Sequence, residues 1–139
     1  MSILCLDVGD KTIGVAVSDP LEIIARGVGQ FRRDESKQAK GIEYIRGLIS
    51  QYGVNRMVVG LPINMGGGEG SQAKKVRSFI DNLSSKINVS VTLVDERLST
   101  VTAERILREA RVSPLKRRRV RDKIAATVIL QSYLDLQRS

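Results

Sequence analysis

The stretch ILCLDVGDKTIGVAVSDP, residues 3 to 20, decides how this chain folds. Ile3 to Val8 is a short apolar run of strand-favouring residues, and the Gly9-Asp10 turn signal stands directly behind it. Ile13 to Ser18 takes up a second run of the same kind, which Asp19-Pro20 closes. Glu22 to Phe31 continues as a third strand with Gly27 and Gly29 inside it. Three short strands joined by tight turns predict an antiparallel meander.

Outward from the meander the apolar period changes. Between Ser36 and Tyr52 the residues Ala39, Ile42, Ile45, Leu48 and Ile49 recur at helical spacing, and Gly53 supplies a C-terminal stop. Arg56 to Leu61 is a compact buried strand, residues 66 to 70 form a glycine-rich loop, and Ser71 to Lys86 is a second helix on Ala73, Val76, Ile80 and Leu83. Val89 to Val94 is a fifth strand. After it come a helix from Thr102 to Ala110, a break at Ser113-Pro114, and a last helix from Asp122 to Leu136 on Ile124, Ala125, Val128, Ile129 and Leu134. This order predicts an α/β fold: a mixed five-stranded sheet, the antiparallel three-strand meander plus two further strands, flanked by helices. A chain of 139 residues fits one domain, residues 1 to 139.

Lys and Arg number 23 against 15 Asp and Glu, a formal charge of +8 that favours polyanionic partners. The chain has no histidine, which removes Ser/His/Asp triads, Cys/His dyads and imidazole-based zinc sites. Its one cysteine, Cys5, lies in an apolar run and reads as a small buried hydrophobe. With no long apolar span and no signal-peptide pattern, the expectation is a cytoplasmic protein with no membrane association.

Catalysis then falls to carboxylates. Asp7 ends an apolar strand, where an ionised group is costly unless its charge is compensated. Asp95-Glu96 repeats that placement in VTLVDER, residues 91 to 97, and Asp122 opens the last helix. Acids at adjacent strand ends, with a third from a helix packed on the sheet, can converge on Mg²⁺ or Mn²⁺, which prefer oxygen ligands. In phosphodiester hydrolysis two such ions about 3.5 to 4 Å apart activate the attacking water and stabilise the leaving oxygen. Because strand side chains alternate between faces, only one of Asp95 and Glu96 is expected in such a site. Glu96 is the preferred one, with Asp95 as a second acid. Each acid also has a structural role open to it: Asp7 as a turn former, Asp95 or Glu96 paired with Arg97, Asp122 matched to a helix dipole. Ala125 and Ala126, one turn beyond Asp122, would allow a close helix–sheet approach, though good helix propensity explains them equally.

Between Arg111 and Arg121 stand six basic residues and no acid: Arg111, Lys116, Arg117, Arg118, Arg119 and Arg121. With Lys11, Arg97 and Lys123 they form the candidate nucleic-acid-binding set. Such a cluster grips a phosphate backbone without reading sequence; a solvated basic loop is the plainer account. Two Phe, three Tyr and no Trp give little support to base stacking. The glycine-rich candidates are Gly9 and the loop set Gly60, Leu61, Pro62, Gly66, Gly67 and Gly68; the stretch Asn64 to Gly70 holds four glycines, whose backbone amides could approach a phosphate or simply connect two elements. Ser99 and Thr100 read as an N-terminal helix cap.

LDVGDKTIGVAVSD (6 to 19), VVGLPINMGGGEG (58 to 70), VDERLST (94 to 100) and DKIAATVILQSYL (122 to 134) resemble, in order and spacing, the motifs of the YqgF (RuvX) family. The match spans nearly the whole chain. The resemblance implies an RNase H-like fold related to Holliday junction resolvases and a divalent-metal nuclease site. It also implies a part in processing the 5′ end of the small-subunit (16S) ribosomal RNA precursor, with structured RNA and ribosomal particles as partners. It sets Asp7, Glu96 and Asp122 on the family's acidic catalytic positions, and Asp95 and Arg97 complete the DER signature. Thr12 departs from a frequent Arg, which removes one phosphate contact, and Gly66 departs from a common Asp that would order the loop.

Other readings stay open at this point. Resolution of branched DNA follows from the same fold relationship, and symmetric junction cutting would need a dimer. The sequence announces neither more nor less than a monomer or weak homodimer. A nucleic-acid-binding factor whose acids no longer cut is the reading from a different class. The DxGxxxxG pattern also resembles the phosphate loop of actin-type ATPases, but that architecture needs two such domains.

Overall fold

The computed structural model describes residues 1–34, 38–64, 66–96, 108, 111 and 113–138, apart from the side chains of Gln38, Pro114, Arg117, Arg118, Arg119 and Arg138. The strands are β1 (Ser2–Val8), β2 (Thr12–Ser18), β3 (Ala25–Arg32), β4 (Val54–Leu61) and β5 (Ser90–Asp95). The helices are α1 (Gln38–Tyr52), α2 (Ser71–Ser84) and α3 (Pro114–Arg138). The sheet order is β3-β2-β1-β4-β5. β1, β2 and β3 form the expected antiparallel meander, and β4 and β5 add to β1 in parallel.

Alternation along the strands sorts the core into two layers. Leu4, Leu6, Val8, Val15, Met57 and Val59 point to one face, where α1 supplies Ile42, Ile45 and Leu48 and α2 supplies Ala73, Val76, Ile80 and Leu83. Ile3, Cys5, Ala16 and Val58 point to the other, against Ala126, Ile129, Leu130 and Leu134 of α3. Helices on both faces account for the near-continuous apolar runs of β1 and β2. Cys5 is buried, as expected. The Leu130 side chain is fully enclosed between α3 and the sheet. Leu130→Ala is therefore expected to lower unfolding free energy by about 2–5 kcal/mol, measured as a lower urea midpoint with an unchanged slope.

Two boundaries depart from the sequence expectation. The third strand begins at Ala25, not Glu22, because Asp19 holds the intervening residues in a turn. Its Oδ1 accepts from the backbone N–H of Ile23 (2.7 Å) and Ile24 (2.8 Å), and Glu22 sits at φ 60°. Gln131 of α3 ties the turn down, accepting from Ala25 N–H and donating to the Ile23 carbonyl. The larger correction concerns the last helix, which starts at Pro114, two turns ahead of Asp122. Ser113-Pro114 begins this helix: Ser113 Oγ accepts from the Lys116 N–H at 3.3 Å, and proline suits the first helical position. From Lys116 to Arg121 the basic run thus has helical backbone, while Arg111 stands ahead of the helix at φ 55°. It was illegible by periodicity because it carries almost no apolar residue, although Lys and Arg are good helix formers. The expected helix from Thr102 to Ala110, and the cap at Ser99 and Thr100, fall outside the described residues apart from Arg108. No helix among the described residues is long and apolar enough to cross a membrane.

Candidate active site

Asp7 stands near the C-terminal end of β1 on the face that α3 covers, two residues beyond Cys5. Its partner across the β1–β2 ladder is Gly14. A Cβ at that glycine would lie 1.9 Å from the Asp122 carbonyl oxygen and 2.7 Å from the Lys123 nitrogen, so the α3 backbone rests directly on β2 there. The missing side chain is what brings Asp122 down to the sheet beside Asp7. Asp122 is in the third turn of α3, so the dipole role expected of a first-turn acid does not apply to it.

Glu96 is the residue after β5, and its N–H donates to the Leu61 carbonyl at 3.3 Å, carrying the parallel ladder one step further. Val94 packs with the α3-side core and Leu93 with the opposite core, so alternation turns Glu96 toward α3 and the exposed Asp95 away. Gly60 on β4 leaves the space Glu96 uses; a Cβ there would meet Glu96 Oε2 at 3.0 Å.

Asp7 and Glu96 share a hydrogen bond between their carboxyl groups. Burial, the Glu96 charge, that hydrogen bond and the Asp122 charge push the Asp7 pKa up to about 8, against the opposing pull of Arg121. Glu96 is raised as well, by burial first and by the charges of Asp122 and Asp95, with the Asp7 hydrogen bond pulling the other way. Burial also raises Asp122, and Arg121 offsets part of it. The Cys5 thiol beneath them is pushed up by burial and by the charges of Asp7 and Glu96. Asp7 thus resists ionisation while Glu96 is charged.

Among the described residues no three Asp, Glu, Cys or His side chains close into a ready-made metal cage. The donor chemistry nonetheless suits a hard divalent cation: the ligand atoms on offer are all carboxyl oxygens, and their mutual repulsion is the kind a bound cation relieves.

Of the basic candidates, Arg121 is exposed and close enough to act on both Asp7 and Asp122. Lys123 is half-buried, with its stem over Gly27 of β3 and its backbone N–H donating to Gln30 Oε1 at 3.2 Å. Lys11, Arg111 and Lys116 are exposed. Arg97 and the side chains of Arg117, Arg118 and Arg119 fall outside the described residues. In the glycine set, Gly9 donates to the Thr12 carbonyl at 2.8 Å. Gly60 and Leu61 are the last two residues of β4 and not loop residues, because the parallel ladder to β5 continues through both. Pro62 is half-buried just beyond them, and Gly66, Gly67 and Gly68 are exposed in a bend that the Asn64 backbone closes with Gly67 and Gly68.

Two residues of this neighbourhood were not singled out as site residues from the sequence. Thr12 donates its hydroxyl to Asp122 Oδ2. Gly14 was readable only as a glycine in mid-strand, a mark of close backbone approach.

Residues 1–136 match the family model described as "RuvX: Holliday junction resolvase". The chain belongs to the RuvX family. It is 52% identical over 135 residues to a Desulforamulus reducens protein named "Putative pre-16S rRNA nuclease", a match covering 97% of both chains. A Listeria innocua protein of the same name is 49% identical, over 97% of this chain and 98% of its own. Among solved structures, Thermus thermophilus RuvC in complex with a Holliday junction substrate superposes with a TM-score of 0.61 at 13% identity, covering 100% of this chain and 96% of that one. The Fowlpox virus resolvase bound to junction DNA follows with a TM-score of 0.54 at 16% identity and full coverage of both chains. At these identities the likeness to the two resolvases is one of fold, and it agrees with the RNase H-like sheet expected of a RuvX-family chain.

Proposed function

We propose that this RuvX-family protein is a divalent-metal-dependent endonuclease that cuts RNA backbone during maturation of the 5′ end of the 16S ribosomal RNA precursor. The observation that carries the reading is the partly buried Asp7–Glu96 carboxyl pair with Asp122 in electrostatic reach of both. Asp7, Glu96 and Asp122 would hold Mg²⁺ or Mn²⁺; the bound ion supplies charge stabilisation and a water of lowered pKa at neutral pH. The chain's own part is to keep the acids crowded and partly buried, so that a bound cation relieves their mutual repulsion. Arg121, at the edge of the acids, and Lys116, near the start of α3, are suited to the phosphates of the strand being cut. The names carried by the relatives from Desulforamulus reducens and Listeria innocua support the choice of RNA.

The test offers the purified protein a 16S precursor fragment with its 5′ extension and, separately, a four-way DNA junction, each in Mg²⁺ and in EDTA. Cutting of the RNA in Mg²⁺ alone is expected. Cutting of the junction with the RNA left intact would replace this substrate by branched DNA, and binding without cutting of either would reduce the protein to a nucleic-acid-binding factor.

Salt dependence provides a further check. RNA affinity should fall linearly with salt on logarithmic axes, and a Lys116→Ala, Arg121→Ala double variant should reduce that slope by about 1–2. An unchanged slope in a fluorescence anisotropy titration would remove these two residues from the interface.

A further inference from the structure

We infer that Thr12 is a positioning residue for Asp122, its hydroxyl fixing that carboxylate for a divalent cation held with Asp7 and Glu96. The inference rests on the reading of these three acids as cation ligands. Its basis is the hydrogen bond from Thr12 Oγ1 to Asp122 Oδ2, which joins β2 to α3 across 110 residues of chain.

Thr12 is itself well held. It opens β2, pairs with Arg32 across the β2–β3 ladder, and accepts the Gly9 N–H at 2.8 Å through its carbonyl. Arg33 braces the turn from the side: its N–H donates to the Lys11 carbonyl at 2.7 Å and its guanidinium donates to the Gly9 carbonyl at 3.2 Å. That guanidinium lies 5.3 Å from the centre of the Phe79 ring on α2. Thr12 is also β-branched, which stiffens its first side-chain torsion. Gly9 suits this turn, since a Cβ there would press to 3.0 Å on the Thr12 carbonyl oxygen.

The chemistry of the donor matters as much as its place. A hydroxyl orients a carboxylate without neutralising it, so the full negative charge stays available to a cation. Outer partners of this kind, which hold a ligand in its binding orientation, set metal affinity as well as rate.

The experiment measures Mn²⁺ affinity of the folded, metal-free protein by electron paramagnetic resonance of the free ion, beside RNA cleavage, for the wild type, Thr12→Val and Thr12→Ser. Thr12→Val should bind Mn²⁺ about tenfold more weakly and cut slowly at limiting metal, with KM for RNA unchanged and the rate restored by excess Mn²⁺. Thr12→Ser should stay within about twofold of the wild type, because it keeps the hydroxyl. Wild-type Mn²⁺ affinity in Thr12→Val overturns the inference. So does a Thr12→Ser variant as weak as Thr12→Val, which would assign the effect to the lost methyl, and so does a wild type that binds no Mn²⁺. A wild type that binds Mn²⁺ in the Thr12-dependent way yet cuts no RNA leaves the inference standing and sinks the nuclease reading alone.

Discussion

Asp7→Asn is expected to lower Mg²⁺-dependent RNA cutting on the order of a thousandfold or more while RNA affinity stays within about twofold of the wild type. The loss follows from removing the most enclosed of the candidate ligands, and affinity survives because phosphate contacts, not acids, carry it. The same substitution should stabilise the metal-free protein. The Asp7 pKa is pushed up to about 8 by burial and by the Glu96 and Asp122 charges. The folded chain therefore binds this proton more tightly than the unfolded chain, whose aspartates titrate near 4. Stability is highest with the proton on, and it declines as pH climbs from about 4 through about 8. Asparagine is uncharged throughout, so near pH 8 the variant should gain about 1–2 kcal/mol, roughly 3 to 8 °C in melting temperature. Mg²⁺ should raise the melting temperature of the wild type and leave that of the variant unmoved. Thermal melts at pH 5 and pH 8, with and without Mg²⁺, read all of this. A variant that cuts as the wild type does, or that melts lower at pH 8, would place the charge-crowded site elsewhere.

Gly14→Ala should be the most disruptive single-methyl change in the sheet. The added Cβ would fall 1.9 Å from the Asp122 carbonyl oxygen, 2.1 Å from its carbonyl carbon and 2.7 Å from the Lys123 nitrogen. All three are backbone atoms of a long helix, so no rotamer change relieves them and α3 must lift from β2. Overpacking of that kind costs about 1–3 kcal/mol and more where the backbone cannot give, so a loss of about 3 kcal/mol or above is expected. Cutting should fall by at least about a hundredfold even in the fraction that stays folded, because a shift near 1 Å in a site residue has that effect. Gly29→Ala is the control. Its Cβ would meet only the Tyr44 hydroxyl, at 4.0 Å, an ordinary contact, so a cost below about 1 kcal/mol is expected. Equal urea midpoints for the two variants would mean that α3 does not rest on Gly14.

Both predictions concern what lies between remote segments, and that is where reading the chain alone stopped. The meander, the two α/β crossovers and the stop at Gly53 (φ 64°) were legible because each rests on local signals: turn residues, apolar period, and a glycine free to adopt a left-handed conformation. That only one of Asp95 and Glu96 enters such a site followed from alternation along one strand. The start of α3 was legible in principle from Ser113 and Pro114, but the charged run behind them carried no period to extend.

What the sequence by itself determined was therefore the list of elements and the acids placed at strand ends, because spacing within one segment depends only on backbone geometry. Tertiary structure alone decided that α1 and α2 share one face and α3 has the other, that Gly14 admits the α3 backbone, and that Thr12 reaches Asp122. Those are contacts between residues remote in the chain, 110 positions apart for Thr12 and Asp122. They depend on how packed layers register against one another, a quantity that no run of neighbouring residues encodes.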